Sequence, residues 1–157
     1  MDFFNLSESL LLIKPELALS IFLVIIVTAD LILGKNNKIL PYIGITGLAV
    51  TLYFVIEQFG LNGFAFYSDG NRGLVTVDSF GAFFKVIILF ASVIIVFFSI
   101  SSVEIEESKE RHGEYYALLY GMILGMFLMV SASDLILIYI SLELVSLSSY
   151  VLAGFTK

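Results

Sequence analysis

Cysteine and tryptophan are absent from this 157-residue sequence, which has one histidine and two prolines. Without cysteine the chain has no disulfides, no thiolate zinc sites and no iron–sulfur ligands. The single histidine, His112, lies in a charged stretch and cannot by itself provide the ligands of a haem or metal site. We therefore expect this chain to bind no metal and no cofactor of its own.

Sequence motifs for nucleotide and nucleophile chemistry are also missing. The chain has no glycine-rich dinucleotide fingerprint, no P-loop and no G-x-S-x-G elbow. Its formal net charge is −6, and no basic cluster is present. This charge distribution argues against binding of nucleic acid.

The residues that are abundant are apolar. Hydrophobic residues make up 59% of the sequence and charged residues 14%, whereas soluble domains have about 45–50% and about 25%. The mean hydropathy is +1.02. A chain of this size cannot bury so much apolar surface in its own core, so the sequence predicts a membrane protein and excludes a free-standing soluble enzyme.

The apolar residues are grouped into five runs, each close to the roughly 20 residues that a helix needs to cross a bilayer. Alternating strand patterns are absent from these runs, and backbone groups in lipid must be paired within the segment. We therefore predict an all-α integral membrane protein, with residues 1–157 forming a single membrane domain. The predicted helices cover residues 17–33, 39–59, 80–103, 115–130 and 135–155.

Basic residues outside the predicted helices are distributed unequally between the two sides of the membrane. If the five helices alternate in direction, one side carries Lys35, Lys38, Lys109, Arg111 and Lys157. The other side carries Lys14 and Arg72. Because positive residues favour the cytoplasmic or matrix side, we expect the N-terminus to be outside.

Glu143 lies near the centre of the fifth predicted helix and is the main candidate for function. A charged side chain at that depth costs about 2.5–3.5 kcal/mol on insertion scales. Tyr139, Ser146 and Tyr150 share its helical face at spacings of four, three and seven residues. Such a face could carry a proton along hydroxyls and waters to Glu143. The alternative is a neutral glutamic acid that only hydrogen-bonds a neighbouring helix.

The other polar residues of the predicted helices have weaker signals. Lys85, near the start of the third helix, has two interpretations: its ammonium extends to the membrane interface, or it supports the proton path. Asp30 and Glu57 lie near helix ends, where we expect them to face headgroups or loops. Gly121 and Gly125 in the fourth helix permit close approach of another helix.

The sequence of the fifth helix closely resembles a known family. Residues 133–152 read SDLILIYISLELVSLSSYVL, similar to subunit N (subunit 2) of proton-pumping NADH:quinone oxidoreductase, respiratory complex I. Three earlier stretches agree in order along the chain: Pro15-Glu16-Leu17 with Asp30-Leu31, DSFGAFFK at residues 78–85, and GEYYALL at residues 113–119.

The resemblance implies a longer subunit than these 157 residues. Family members have roughly fourteen helices, so the chain would be the N-terminal part of an antiporter-like subunit. It would be a fragment, part of a longer gene product, or one half of a split subunit. In the family, the glutamate that matches Glu143 belongs to a buried chain of charged residues for proton translocation and pairs with a lysine on a later helix. The basic partner of Glu143 would therefore lie outside the 157 residues.

The resemblance also implies partner subunits and a membrane. NADH, FMN, iron–sulfur clusters and quinone would be handled by partner subunits, and this chain would have no catalytic activity alone. Its partners would be other membrane-arm subunits, the remaining helices of the same subunit, and lipid. The membrane would be the bacterial plasma membrane or the mitochondrial inner membrane. The alternatives are a Mrp-type or hydrogenase-linked cation/proton antiporter subunit, and a structural or assembly helix bundle without transport.

Overall fold

The computed structural model describes residues 3–33, 39–68, 72–100 and 112–155. Within these ranges the helices are α1 (Phe3–Leu12), α2 (Lys14–Leu33), α3 (Leu40–Gln58), α4 (Ser79–Ile100), α5 (His112–Ser131) and α6 (Leu135–Ala153). One antiparallel hairpin, formed by β1 (Gly63–Ser68) and β2 (Arg72–Val77), lies between α3 and α4. Helices α2 to α6 are long and apolar enough to cross a membrane, which confirms the predicted helical, multi-span membrane fold.

Proline and polar residues set several helix ends. Pro15 is the second residue of α2 and Pro41 the second of α3, positions where its missing N–H breaks no helical hydrogen bond. Asp134 precedes α6 with an extended backbone, and Gly154 follows the last turn. The end of the third predicted helix, at residues 101–103, lies outside the described residues. So do the five basic residues on which the orientation mainly depends: Lys35, Lys38, Lys109, Arg111 and Lys157.

Helix α5 is the centre of the bundle. Its buried side chains include Tyr116, Tyr120, Ile123 and Phe127, and they pack against buried residues of α2, α3 and α4. Both tyrosine hydroxyls have partners: Tyr120 donates to the carbonyl of Gly44, and Tyr116 lies 3.0 Å from the Ser99 hydroxyl. These hydrogen bonds allow large, partly polar side chains to occupy an apolar interior.

Two elements were not predicted from the sequence, α1 and the hairpin. Helix α1 has 10 residues, so it is only about 15 Å long and cannot span the membrane. The Phe66 N–H of β1 donates to the Ser9 hydroxyl of α1 at 2.9 Å. On the other strand, the Ser133 N–H between α5 and α6 donates to the Leu74 carbonyl at 3.1 Å. The described residues of the connection before α4 therefore form a layer with α1 over one end of the bundle.

Helices α5 and α6 approach closely along the predicted glycine seam. A Cβ atom at Gly125 would lie 2.8 Å from Val145 Cγ2 and 3.2 Å from the Ser141 carbonyl oxygen. At Gly121, the nearest atom to an added Cβ is the Ser148 hydroxyl at 3.4 Å. Gly125 is thus the tighter of the two seam positions, because an added Cβ would meet both the Val145 side chain and the α6 backbone.

Substitution along this seam should depend on position. We expect Gly125→Leu to push α6 away from α5 and to destabilise their packing by about 1–3 kcal/mol, the usual range for overpacking. Gly125→Ala and Gly121→Ala are the matched comparison, and the second should be tolerated better, because its Cβ meets only a movable hydroxyl. The thermal stability of the purified complex that contains each variant would measure the difference. Equal stability of the two alanine variants would contradict this description of the seam.

Candidate functional site

Lys85 is fully buried in the bundle and forms an ion pair with Glu16. Its Nζ atom lies 2.6 Å from Glu16 Oε1, and the two side chains are 1% and 4% exposed. The predicted alternative in which the ammonium extends to the membrane interface is therefore wrong. The reason is the counter-charge at the start of α2, which lets the lysine remain inside.

Two neutral side chains complete this site. Gln58, the last residue of α3, accepts a hydrogen bond from Lys85 Nζ at 3.0 Å and donates to the Leu12 carbonyl at 2.7 Å. Ser131, the last residue of α5, donates to Glu16 Oε1 at 3.2 Å. We call Glu16, Gln58, Lys85 and Ser131 the Glu16–Lys85 cluster.

The cluster lies at one end of the bundle because of how the chain alternates. Helices α2 and α4 begin there, whereas α3 and α5 end there. Each helix supplies one member, and α1 and the hairpin pack at the same end. The cluster therefore links four helices, and its own residues are buried.

The charged groups of the cluster lie close together. The Lys85 ammonium donates to two oxygens and lies 5.8 Å from the centre of the Phe127 ring, a cation–π distance. Both donors to the carboxylate reach Oε1. Within the described chain, Oε2 of Glu16 is buried and has no hydrogen-bond partner. The ammonium therefore has two oxygen acceptors, whereas one carboxylate oxygen has no donor among the described residues.

Glu143 has the opposite environment. It lies in the middle of α6, and its side chain is exposed on the face turned away from α5. Tyr139 and Tyr150 of the same stripe are 68% and 72% exposed, and Ser146 is half-buried. Among the described residues, no hydrogen bond or ion pair involves the Glu143 carboxylate, so Lys85 and Glu143 belong to different environments.

The inner face of α6 explains this orientation. Ser141 and Ser148 are its buried residues in the described chain, and they face the glycine seam of α5. Helical geometry then turns Glu143 outward. The large side chains around it are also exposed: Leu135, Ile136, Ile140, Leu142, Leu147 and Val151. The outer face of α6 is thus apolar except for the predicted stripe.

The remaining predicted polar residues have local roles. Glu57 forms an exposed ion pair with Lys14 at 3.5 Å. Asp30 packs its carboxyl group against Gly113 at the start of α5, so closely that a Cβ added there would require the Asp30 side chain to move. No group of three or more potential metal ligands occurs in the ranges that the structure covers.

Sequence reasoning missed Glu16, Gln58 and Ser131 as members of a site. In the sequence, Glu16 contributes only to the family resemblance of Pro15-Glu16-Leu17, and Gln58 and Ser131 belong to no motif. One signal was available: Lys85 is the one basic residue within the predicted helices, and a buried lysine needs a counter-charge. Only the fold shows which carboxylate provides it.

Comparison with known proteins finds relatives that share one subunit name. The chain is 39% identical over 145 residues to NADH-quinone oxidoreductase subunit N 2 of Chloroherpeton thalassium, a match that covers 91% of the chain and 28% of the relative. It is 36% identical over 149 residues to a subunit of the same name from Koribacter versatilis, with coverages of 92% and 30%.

A third relative has a different name. The F(420)H(2) dehydrogenase subunit N of Methanosarcina mazei is 30% identical over 154 residues, which is 96% of the chain and 31% of the relative. No protein-family model matches the chain. In each case the chain spans about three-tenths of the length of the relative.

Removing one partner of the buried pair should be more harmful than removing both. Lys85→Met leaves the Glu16 charge uncompensated, and we expect a loss of about 3–5 kcal/mol. The double variant Glu16→Gln/Lys85→Met should be more stable than Lys85→Met alone. Lys14→Met breaks the exposed pair and should change stability by about 0–1 kcal/mol.

The apparent melting temperature of the assembled complex would measure these changes. Additive losses in the double variant, or a Lys14→Met effect as large as that of Lys85→Met, would contradict the buried ion pair.

Proposed function

We propose that this chain, which belongs to the subunit N family of NADH-quinone oxidoreductases, forms part of the proton-translocating membrane arm of such a complex. The observation that carries the proposal is the position of Glu143, a carboxylate in the middle of a spanning helix with no partner among the described residues. A carboxylate in this position is expensive in lipid and is typical of a functional site.

The outer face of α6 needs a protein neighbour in this proposal. Glu143 and the two exposed tyrosines would face hydrocarbon if lipid covered that face, and an ionised carboxylate there costs about 2.5–3.5 kcal/mol. Helices from the rest of the subunit would cover it instead and supply a basic side chain. Lys85 cannot do so while it is paired with Glu16.

Proton transfer would then use the stripe of α6. A proton from the inner side would pass along waters and hydroxyls near Tyr150 and Ser146 to Glu143. As the basic group of the neighbouring helix approaches or withdraws, it would favour the ionised or the protonated carboxylate. Repeated alternation of these two states would move protons without any redox chemistry in this chain.

The complete assembly would supply the driving force. NADH, FMN, iron–sulfur clusters and quinone would be bound by partner subunits, and the remaining helices would complete the roughly fourteen-helix subunit. A relative from F(420)H(2) dehydrogenase is also similar to this chain.

Substitution of Glu143 tests the relay. We expect Glu143→Gln to leave assembly intact and to lower the number of protons moved per electron pair, because an amide cannot take up and release a proton. Proton uptake and electron transfer would be measured together in membrane vesicles. Glu57→Gln is the control, since it removes an exposed carboxylate at a helix end. Wild-type proton transport by the Glu143→Gln variant would show that Glu143 is not a proton relay.

The proposed orientation can be tested by labelling, because the chain has no cysteine of its own. With the N-terminus outside, Leu61→Cys, between α3 and β1, should react with a membrane-impermeant thiol reagent added from outside. Ser108→Cys, in the predicted connection between α4 and α5, should react only from inside. The reverse pattern would invert the proposed orientation.

A further inference from the structure

We infer that the outer face of α4 is a lipid-contacting surface of the assembled complex, covered by acyl chains of the bilayer and not by a helix of another subunit. The outer face of α4 consists of its exposed side chains from Phe80 to Ile100. This surface goes beyond the proposed function, and it stands whether or not Glu143 is a relay.

The polar side chains of α4 lie on its inner face. After Ser79, the first residue of the helix, they are Lys85, Ser92 and Ser99, which follow one another at spacings of seven residues and are all buried. Each forms a hydrogen bond inside the protein. Polar residues of a spanning helix face the bundle interior because lipid cannot hydrogen-bond them. The side of α4 that faces away from the bundle therefore has the composition of a lipid-facing surface.

The outer face of α4 is apolar along its whole length. Its phenylalanines are each 40% exposed or more: Phe80, Phe83, Phe84, Phe90, Phe97 and Phe98. The 22 residues of α4 give a helix about 33 Å long. The hydrocarbon core of a bilayer is about 30 Å thick. Acyl chains would therefore meet apolar side chains of α4 at every depth of the hydrocarbon core.

The size of these side chains favours lipid over a packed helix. Helices associate in membranes where small residues allow their backbones to approach, or where polar groups hydrogen-bond across the contact. From Phe80 to Ile100, a stretch described without a gap, Ala91 is the one small exposed residue. The residues four positions before and after it, Ile87 and Ile95, are large and exposed. This face thus has neither a small-residue seam nor a polar group for a neighbouring helix, whereas flexible acyl chains need neither.

Helix α6 shows the opposite distribution of polar groups. Its outer face carries the Glu143 carboxylate and the exposed hydroxyls of Tyr139 and Tyr150, for which acyl chains provide no hydrogen-bond partner. Two exposed helix faces of one bundle therefore require different neighbours. The face of α4 fits lipid, and the face of α6 fits protein.

Photo-cross-linking in the complete complex tests the inference. The photoreactive residue p-benzoylphenylalanine would replace Phe90, in the middle of α4, and the complex would be illuminated in vesicles of phosphatidylethanolamine and phosphatidylglycerol. We expect the peptide that contains position 90 to gain the mass of one phospholipid molecule, as measured by mass spectrometry. The same residue at Leu142, on the outer face of α6, should instead join to a peptide of the remaining helices. A lipid product at position 142 would contradict the proposed cover of α6 but not the inference about α4.

A second measurement uses added bulk on the same face. Ala91→Leu should leave the apparent melting temperature of the complex unchanged, because acyl chains move aside for a larger side chain. Gly125→Leu is the matched control and should lower the melting temperature, because its side chain meets another helix. A cross-link from position 90 to another subunit, no lipid product at either Phe90 or Phe97, or a lower melting temperature of Ala91→Leu would each overturn the inference.

Discussion

A cation inside an apolar helix bundle must be neutralised within the bundle, and the pair between Lys85 and Glu16, 2.6 Å apart, meets this requirement. Its geometry constrains the surrounding structure. Gln58 and Ser131 must end their helices at the same level, so that four helices meet around one charge pair. Helix α1 and the hairpin then close this end, and Gln58 connects the two layers through the Leu12 carbonyl.

The two membrane glutamates show how the surroundings of a carboxylate define what it can do. Glu16 is buried with a fixed cation and forms a neutral pair inside the bundle. Glu143 lies in the middle of its helix, on the outer face of α6 and away from any described counter-charge. The glycine seam between α5 and α6 produces this difference, because it directs Ser141 and Ser148 inward and Glu143 outward.

Much of the fold could be predicted because a bilayer permits few kinds of backbone structure. Apolar runs of about 20 residues must be helices, and the glycine spacing marks a close contact. The hairpin escaped prediction because its strands are short and partly polar, and their pairing depends on contacts with Ser9 and Ser133. The Glu16–Lys85 pair escaped prediction because its members are 69 residues apart in sequence (85 − 16). Only the antiparallel order of the helices brings them together.

In the proposed arrangement the outer face of α6 meets protein, which supplies a cation to Glu143. A cryo-electron microscopy structure of the complete complex, with side chains visible, tests this most directly. We expect an intact Lys85–Glu16 pair and a basic side chain from another helix next to Glu143. Lipid acyl chains against Glu143, or a Lys85 side chain turned from Glu16 to Glu143, would contradict it.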